Sequence, residues 1–151
     1  MELAVAVALP LVAGTAVGAA SARSAKADYA STKKPAWSPP SWAFGVVWPI
    51  LYALMGAASY LVWRAKPSSA QRLALGLYAV QLLLNLAWSP VYFGMGARVA
   101  ALAILIALDV AVALTIVAFA RVDVKAAWLM APYAAWLAVA TALNASVVWM
   151  N

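Results

Sequence analysis

Five apolar runs constrain this chain more than anything else in it. They are Leu3–Ala22, Pro35–Trp63, Leu73–Ala97, Val99–Ala120 and Ala126–Asn151, and Asp109 is the only formal charge inside any of them. A helix needs about 20 apolar residues to cross a hydrocarbon core about 30 Å thick. Each run is long enough. Of the 151 residues, 68% are apolar and 9% are charged, whereas soluble domains average about 45–50% and about 25%. A water-soluble fold of this size could not hide so much apolar surface. Ala and Leu dominate and strict alternation is absent, so the runs read as helices. The expected architecture is an all-α integral membrane protein, one domain built as a five-transmembrane-helix bundle. Its helices should cover about 3–22, 41–63, 73–92, 99–120 and 126–148, with a long loop over about 23–40. The first run lacks the basic lead of a signal peptide, having only Glu2 before it, and is too long for one.

The formal charge is +6, but the basic residues sit between the apolar runs. That spacing suits lipid headgroups and argues against nucleic acid as a partner. Arg64, Lys66, Arg72, Arg121 and Lys125 fall on one side; Arg23, Lys26, Lys33, Lys34 and Arg98 fall on the other. Five against five leaves orientation undecided. The chain has no Cys and no His. Disulfides, the usual zinc sites, Cys or His nucleophiles and the common haem ligands are therefore excluded. No metal and no required cofactor are expected.

The connection from Ser21 to Pro40 is the long one, and loops beyond about 12–15 residues are often lids or binding loops. It ends in the stretch "KKPAWSPPSWAFGVVWPILY", residues 33–52. Pro39 and Pro40 stiffen the approach to the second helix, which Ser41 can cap. Trp37 and Trp42 then fall at headgroup depth, where indoles are favoured. Trp48 lies about 9 Å deeper at 1.5 Å per residue, where its N–H needs a partner or a polar cavity. Pro49 follows and can bend the helix.

Three helices carry stripes that mix aromatic and polar residues. Trp48, Tyr52, Met55 and Ser59 recur at helical spacing in the second. Tyr78, Gln81, Asn85, Trp88 and Tyr92 do so in the third, and Tyr133, Trp136, Ala140 and Asn144 in the fifth. Gln and Asn in hydrocarbon need partners, so these faces point inward. Two readings fit: a bundle core glued by polar groups, or a pocket for a flat, largely apolar ligand. Three stripes beside a Trp-rich loop favour the pocket.

The segments "KPAWSPPSWAFGVVWPILYALMGAASYLVW", "LYAVQLLLNLAWSPVYFG" and "PYAAWLAVATALN" resemble the translocator protein family, also called tryptophan-rich sensory proteins or peripheral benzodiazepine receptors. The likeness covers about residues 33–149, in the family's order and spacing. It implies a five-helix bundle, often a homodimer, binding porphyrins, haem precursors, sterols or benzodiazepine-type compounds under the first loop. It also matches Trp48 and Trp136 to tryptophans linked to light-dependent breakdown of protoporphyrin. Ala140 matches the family's pocket alanine, and Asn85 and Trp88 match its third-helix pair. The chain departs from the family where animal members place a Tyr and then an Arg after the fifth helix; here the sequence reads "LNASVVWMN". The glycine pair tied to third-helix dimers appears as Gly76 and Val80, and a tryptophan early in the fourth helix is Ala100.

The expected ligand site is Trp37, Trp48, Tyr52, Gln81, Asn85, Trp88, Tyr133, Trp136, Ala140 and Asn144. The leading function is a membrane receptor or carrier for tetrapyrroles and similar apolar ligands. One alternative is a porphyrin-degrading enzyme using Trp48 and Trp136. Another is an ion-coupled transporter using Asp109, since an ionisable residue in a span reads first as a proton relay. The packing reading of Asp109 is a protonated acid bonded to a neighbouring helix. Gly14 and Gly18 form a Gly-x-x-x-Gly pair that suits close helix packing, within the bundle or between two copies. The Ala-rich composition points to a bacterial cell membrane, against the outer mitochondrial membrane for a eukaryotic chain.

Overall fold

A computed structural model describes residues 1–151. The helices are α1 (Leu3–Ser31), α2 (Ser41–Trp63), α3 (Ser69–Ser89), α4 (Arg98–Ala120) and α5 (Val124–Met150), and α3 runs on into a π turn at Pro90–Gly94. All five are long and apolar enough to cross a membrane, α3 with its π turn counted as one. They form a ring in the order α1, α2, α5, α4, α3, closed by lighter contact of α1 with α3 and the π turn. Tyr133, Phe119, Met55, Leu108 and Met130 fill its centre.

The first helix does not stop at Ala22. It continues to Ser31, which cuts the expected loop over 23–40 to the nine residues Thr32–Pro40. Nothing in "ARSAKADYAS" breaks a helix: there is no Gly or Pro, and Ala, Arg and Lys are good formers. The 29 residues span about 43 Å at 1.5 Å each, so the charged end of α1 stands beyond a core about 30 Å thick. We call Thr32–Pro40 the strap.

α1 rests on α2 through small residues. Ala6, Pro10, Gly14 and Ser21 are its buried positions. A side chain at Gly14 would run into the ring of Tyr52, and one at Gly56 would meet the backbone of Ala6 and Val7. Gly18 faces open space. The Gly14–Gly18 pair is thus split: Gly14 serves packing inside the bundle, and only Gly18 is free for anything else.

The far end is tied by short turns. Gln71 Nε2 donates to the carbonyls of Val62, Trp63 and Ala65 at 3.1, 2.8 and 3.1 Å, capping the last turn of α2. Ser68 accepts from the N–H of Gln71, and Asp123 from that of Lys125, at the starts of α3 and α5. At the near end Pro90 has no N–H to continue the α-ladder. The chain widens into the π turn, closed by Met95 N–H on the Pro90 carbonyl at 3.0 Å. Such turns are rare and cluster at functional sites.

Candidate functional site

The polar side chains between the helices form two clusters at different depths. The deep one starts at Tyr52, whose hydroxyl donates to Asn85 Oδ1 at 2.7 Å. Asn85 Nδ2 donates to the Tyr133 hydroxyl at 2.8 Å, which in turn donates to Gln81 Oε1 at 2.9 Å. Gln81 Nε2 points at the Met55 sulfur, 3.8 Å away. Each group is buried, and each hydroxyl proton has an acceptor. Trp48 covers this cluster, stacked on Tyr52 (5.5 Å between ring centroids) and edge-on to Tyr133 (6.3 Å).

The shallow cluster lies where α1, α3 and α5 end and α4 begins. Trp88 Nε1 donates to Asn144 Oδ1 at 3.1 Å, and Asn144 Nδ2 to the Arg98 carbonyl at 3.1 Å. Arg98 Nη2 donates to Asp28 Oδ1 at 2.7 Å and to Thr32 Oγ1 at 2.9 Å. This is the chain's only ion pair, and both side chains are partly exposed, at 31% and 21%.

A cavity of about 60 Å³ sits against the shallow cluster. The end of α1 and the strap roof it with Asp28, Tyr29, Thr32 and Lys34. Phe44 of α2 forms one wall; Trp88, Tyr92 and Phe93 form the opposite one. The floor is a strip of α5: Ala140, Leu143, Asn144 and Val147. The aromatic walls are ordered by their own contacts. Trp88 stacks on Tyr92 at 5.1 Å, with Phe93 edge-on to both. Phe44 lies edge-on between Tyr29 and Trp136, at 6.2 and 5.6 Å. The extra residue of the π turn lets the consecutive Tyr92 and Phe93 both reach the cavity.

The roof is latched in several places. The Tyr29 hydroxyl donates to the Pro39 carbonyl, and Lys34 Nζ to the carbonyls of Tyr29 and Thr32. The Lys34 ammonium also sits 4.2 Å from the centroid of the Tyr29 ring. Lys33 N–H donates to Asn151 Oδ1 at 3.2 Å while Asn151 Nδ2 donates to the Lys33 carbonyl at 3.0 Å, clipping the strap to the end of α5.

The expected site residues therefore divide. Trp88, Ala140 and Asn144 line the cavity. Tyr52, Gln81, Asn85 and Tyr133 belong to the deep cluster, with Trp48 against it. Trp136 stands one ring behind the cavity, its buried N–H without a partner. Trp37 is 53% exposed on the strap and is not a lining residue. Sequence reasoning missed the other nine of the twelve lining residues, among them Asp28, Tyr29, Phe44 and Phe93. The available signal was Asp28, the one acid among the basic residues between Ala22 and Pro40. Asp109 Oδ2 accepts from Thr141 Oγ1 at 2.7 Å, joining α4 to α5 away from the cavity. A single hydrogen bond to a neighbouring helix is what the packing reading of Asp109 requires of its partner.

Known proteins align along nearly the whole chain. The model of the TspO/MBR family matches residues 6–150. The human translocator protein is 46% identical over 125 residues, 82% of this chain and 73% of that protein. The tryptophan-rich protein TspO of Chlorobaculum tepidum is 36% identical over 155 residues, covering all of this chain and 96% of its own length. The tryptophan-rich sensory protein of Cereibacter sphaeroides is 39% identical over 123 residues, 82% of this chain and 76% of that protein. With five spans, this order of helices and these matches, the chain is an integral, multi-pass membrane protein that belongs to the TspO/MBR family.

Proposed function

We propose that the protein is a membrane receptor or carrier for flat, largely apolar ligands of the tetrapyrrole class, such as protoporphyrin IX, with sterols or benzodiazepine-type compounds as related occupants. The observation behind this reading is the cavity itself: aromatic walls on two sides, an Ala140 floor and a latched roof. Flat ring faces suit a planar ligand, and a small floor residue leaves it room. The names of relatives, "translocator" and "sensory", fit carriage and sensing. At about 60 Å³ the cavity is smaller than ligand pockets of about 300–1,000 Å³, so binding has to widen it, with movement of the strap as the proposed route. Titration of protoporphyrin IX against tryptophan fluorescence tests this. Ala140→Leu and Trp88→Leu should each weaken binding about threefold to tenfold, and Trp63→Leu at the far end should not. Parent-like binding in both cavity variants, correctly folded, would place the site elsewhere.

A second reading, light-dependent porphyrin breakdown, has one observation in its favour. Trp136 keeps a buried N–H without a partner one ring behind the cavity, a redox or catalytic role being one explanation for such a group; the Tyr78 hydroxyl is the other buried orphan and does not line the cavity. Trp136→Phe should then stop the light-dependent loss of porphyrin absorbance while binding persists. An unchanged rate dismisses the enzyme.

A further inference from the structure

The shallow cluster has a property that an apolar pocket does not need. Its cations are held by weak or replaceable partners. Arg98 makes one contact with Asp28 and one with Thr32, both from Nη2. The Tyr92 hydroxyl also stands beside the guanidinium and Asp28, but no second carboxylate oxygen meets Nη1 or Nε. A guanidinium normally meets a carboxylate as a two-pronged fork. Here the fork is half used. Lys34 likewise bonds only two backbone carbonyls, leaving one of its three donors. Arg98 is not itself a lining residue of the cavity but reaches it through its partners. Lys34 lines the cavity, and so do Asp28, Thr32 and Asn144, the three groups that contact Arg98.

Arg98 also has an outer side. An open groove of about 360 Å³ runs between the start of α4 and the end of α5, lined by Gly96–Ala100, Val147, Val148 and Asn151. Val147 lines both spaces, and Arg98 stands between the groove and the residues that roof the cavity. The groove ends at Asn151, the same residue that clips the strap.

We infer that Asp28 is a built-in stand-in for a carboxylate on the ligand: an acidic ligand takes Asp28's place on Arg98, with Lys34 as a second anchor, and in doing so frees the end of α1 from α4. This rests on the proposed reading of the cavity and names what it selects, namely an apolar plate that carries carboxylates. The exchange keeps the charge balanced. One carboxylate leaves the guanidinium for headgroup water, and another arrives with both oxygens available to the fork. The same step removes the only ion pair between the roof and the rest of the bundle, so reading the acid and lifting the roof become one event. An apolar ligand without an acid gains no such exchange and must open the roof against an intact pair.

The test compares protoporphyrin IX, a diacid, with its dimethyl ester, by tryptophan quenching in one detergent. The parent should prefer the diacid. Arg98→Gln should remove that preference, costing about tenfold for the diacid and little for the ester. Arg98→Lys, which keeps the charge and loses the fork, should fall between. Asp28→Asn should strengthen the diacid about threefold to tenfold by weakening its internal competitor, with the ester unmoved. Arg72→Gln, a cation at the far end, controls for net charge. If Arg98→Gln does not fold, Asp28→Asn and Arg98→Lys decide alone. A diacid-to-ester ratio that is the same in the parent and in the folded variants overturns this inference and leaves the cavity standing. If the parent binds neither compound, the tetrapyrrole reading falls and this inference with it.

Discussion

The deep and shallow clusters use similar residues to opposite ends. In the deep one, Tyr52, Asn85, Tyr133 and Gln81 are neutral, buried and mutually paired. Both hydroxyl protons and both amide oxygens are used inside the cluster, and Asn85 Nδ2 bonds the Tyr133 hydroxyl. In hydrocarbon that is the stable solution, because an unpaired polar group there has no water to turn to. The shallow cluster is charged, partly exposed and incompletely paired, and it borders the cavity. The same chemistry is glue at one depth and, under the proposed function, a site at the other. What separates them is whether the hydrogen bonds close on themselves.

The largest effect that could break this contrast is at Gly14. Gly14→Leu drives a side chain into the ring of Tyr52, displacing the first member of the deep cluster. Overpacking of this kind should cost about 3 kcal/mol, whereas Gly18→Leu, facing open space, should leave the melting curve in detergent unchanged. Equal melting of the two variants would mean that α1 does not lean on α2 as described. Next comes Asn85→Ala. It strands the hydroxyl of Tyr52 and one contact of Tyr133, for about 2 kcal/mol of stability. Porphyrin affinity of the folded fraction should stay within about twofold, and a tenfold loss would merge the two clusters into one site.

Arg98→Gln should show the reverse pattern. The Asp28 pair is partly exposed, and such pairs contribute about 0–1 kcal/mol. Melting should barely move while acid-dependent binding falls; a drop in stability as large as that of Asn85→Ala would make the shallow cluster structural as well. The smallest effect is at the clip. Asn151→Ala removes two bonds to the Lys33 backbone, for about 0.5–1 kcal/mol. Its readout is limited proteolysis after Lys33 and Lys34, which should quicken without a shift in melting. An unchanged cleavage rate would show that the strap is held without it.

Much of this was legible in the amino-acid order. The stripe Tyr78, Gln81, Asn85, Trp88 and Tyr92 does lie on one inward face, because helical period and the penalty for bare amides act locally. The extent of α1 was not legible. Arg23, Lys26 and Asp28 look like the end of a span, yet charge ends only the contact with hydrocarbon and not the helix. Nor could periodicity tell the two clusters apart. Asn85 and Asn144 are the same residue type, each on an inward stripe. One meets two tyrosine hydroxyls, and the other meets an indole and the Arg98 backbone. That difference depends on which helices are neighbours in the ring, and neighbour order is a property of the assembled bundle.

The π turn, the strap, the start of α4 and the end of α5 all lie at one end of the ring, so the cavity communicates with one leaflet only. Which leaflet that is depends on how the chain was inserted, and the five-to-five division of Lys and Arg gives insertion no electrical bias. If ligands reach Arg98 as proposed, the compartment they come from is therefore set at synthesis, by topology, before affinity for any of them comes into play.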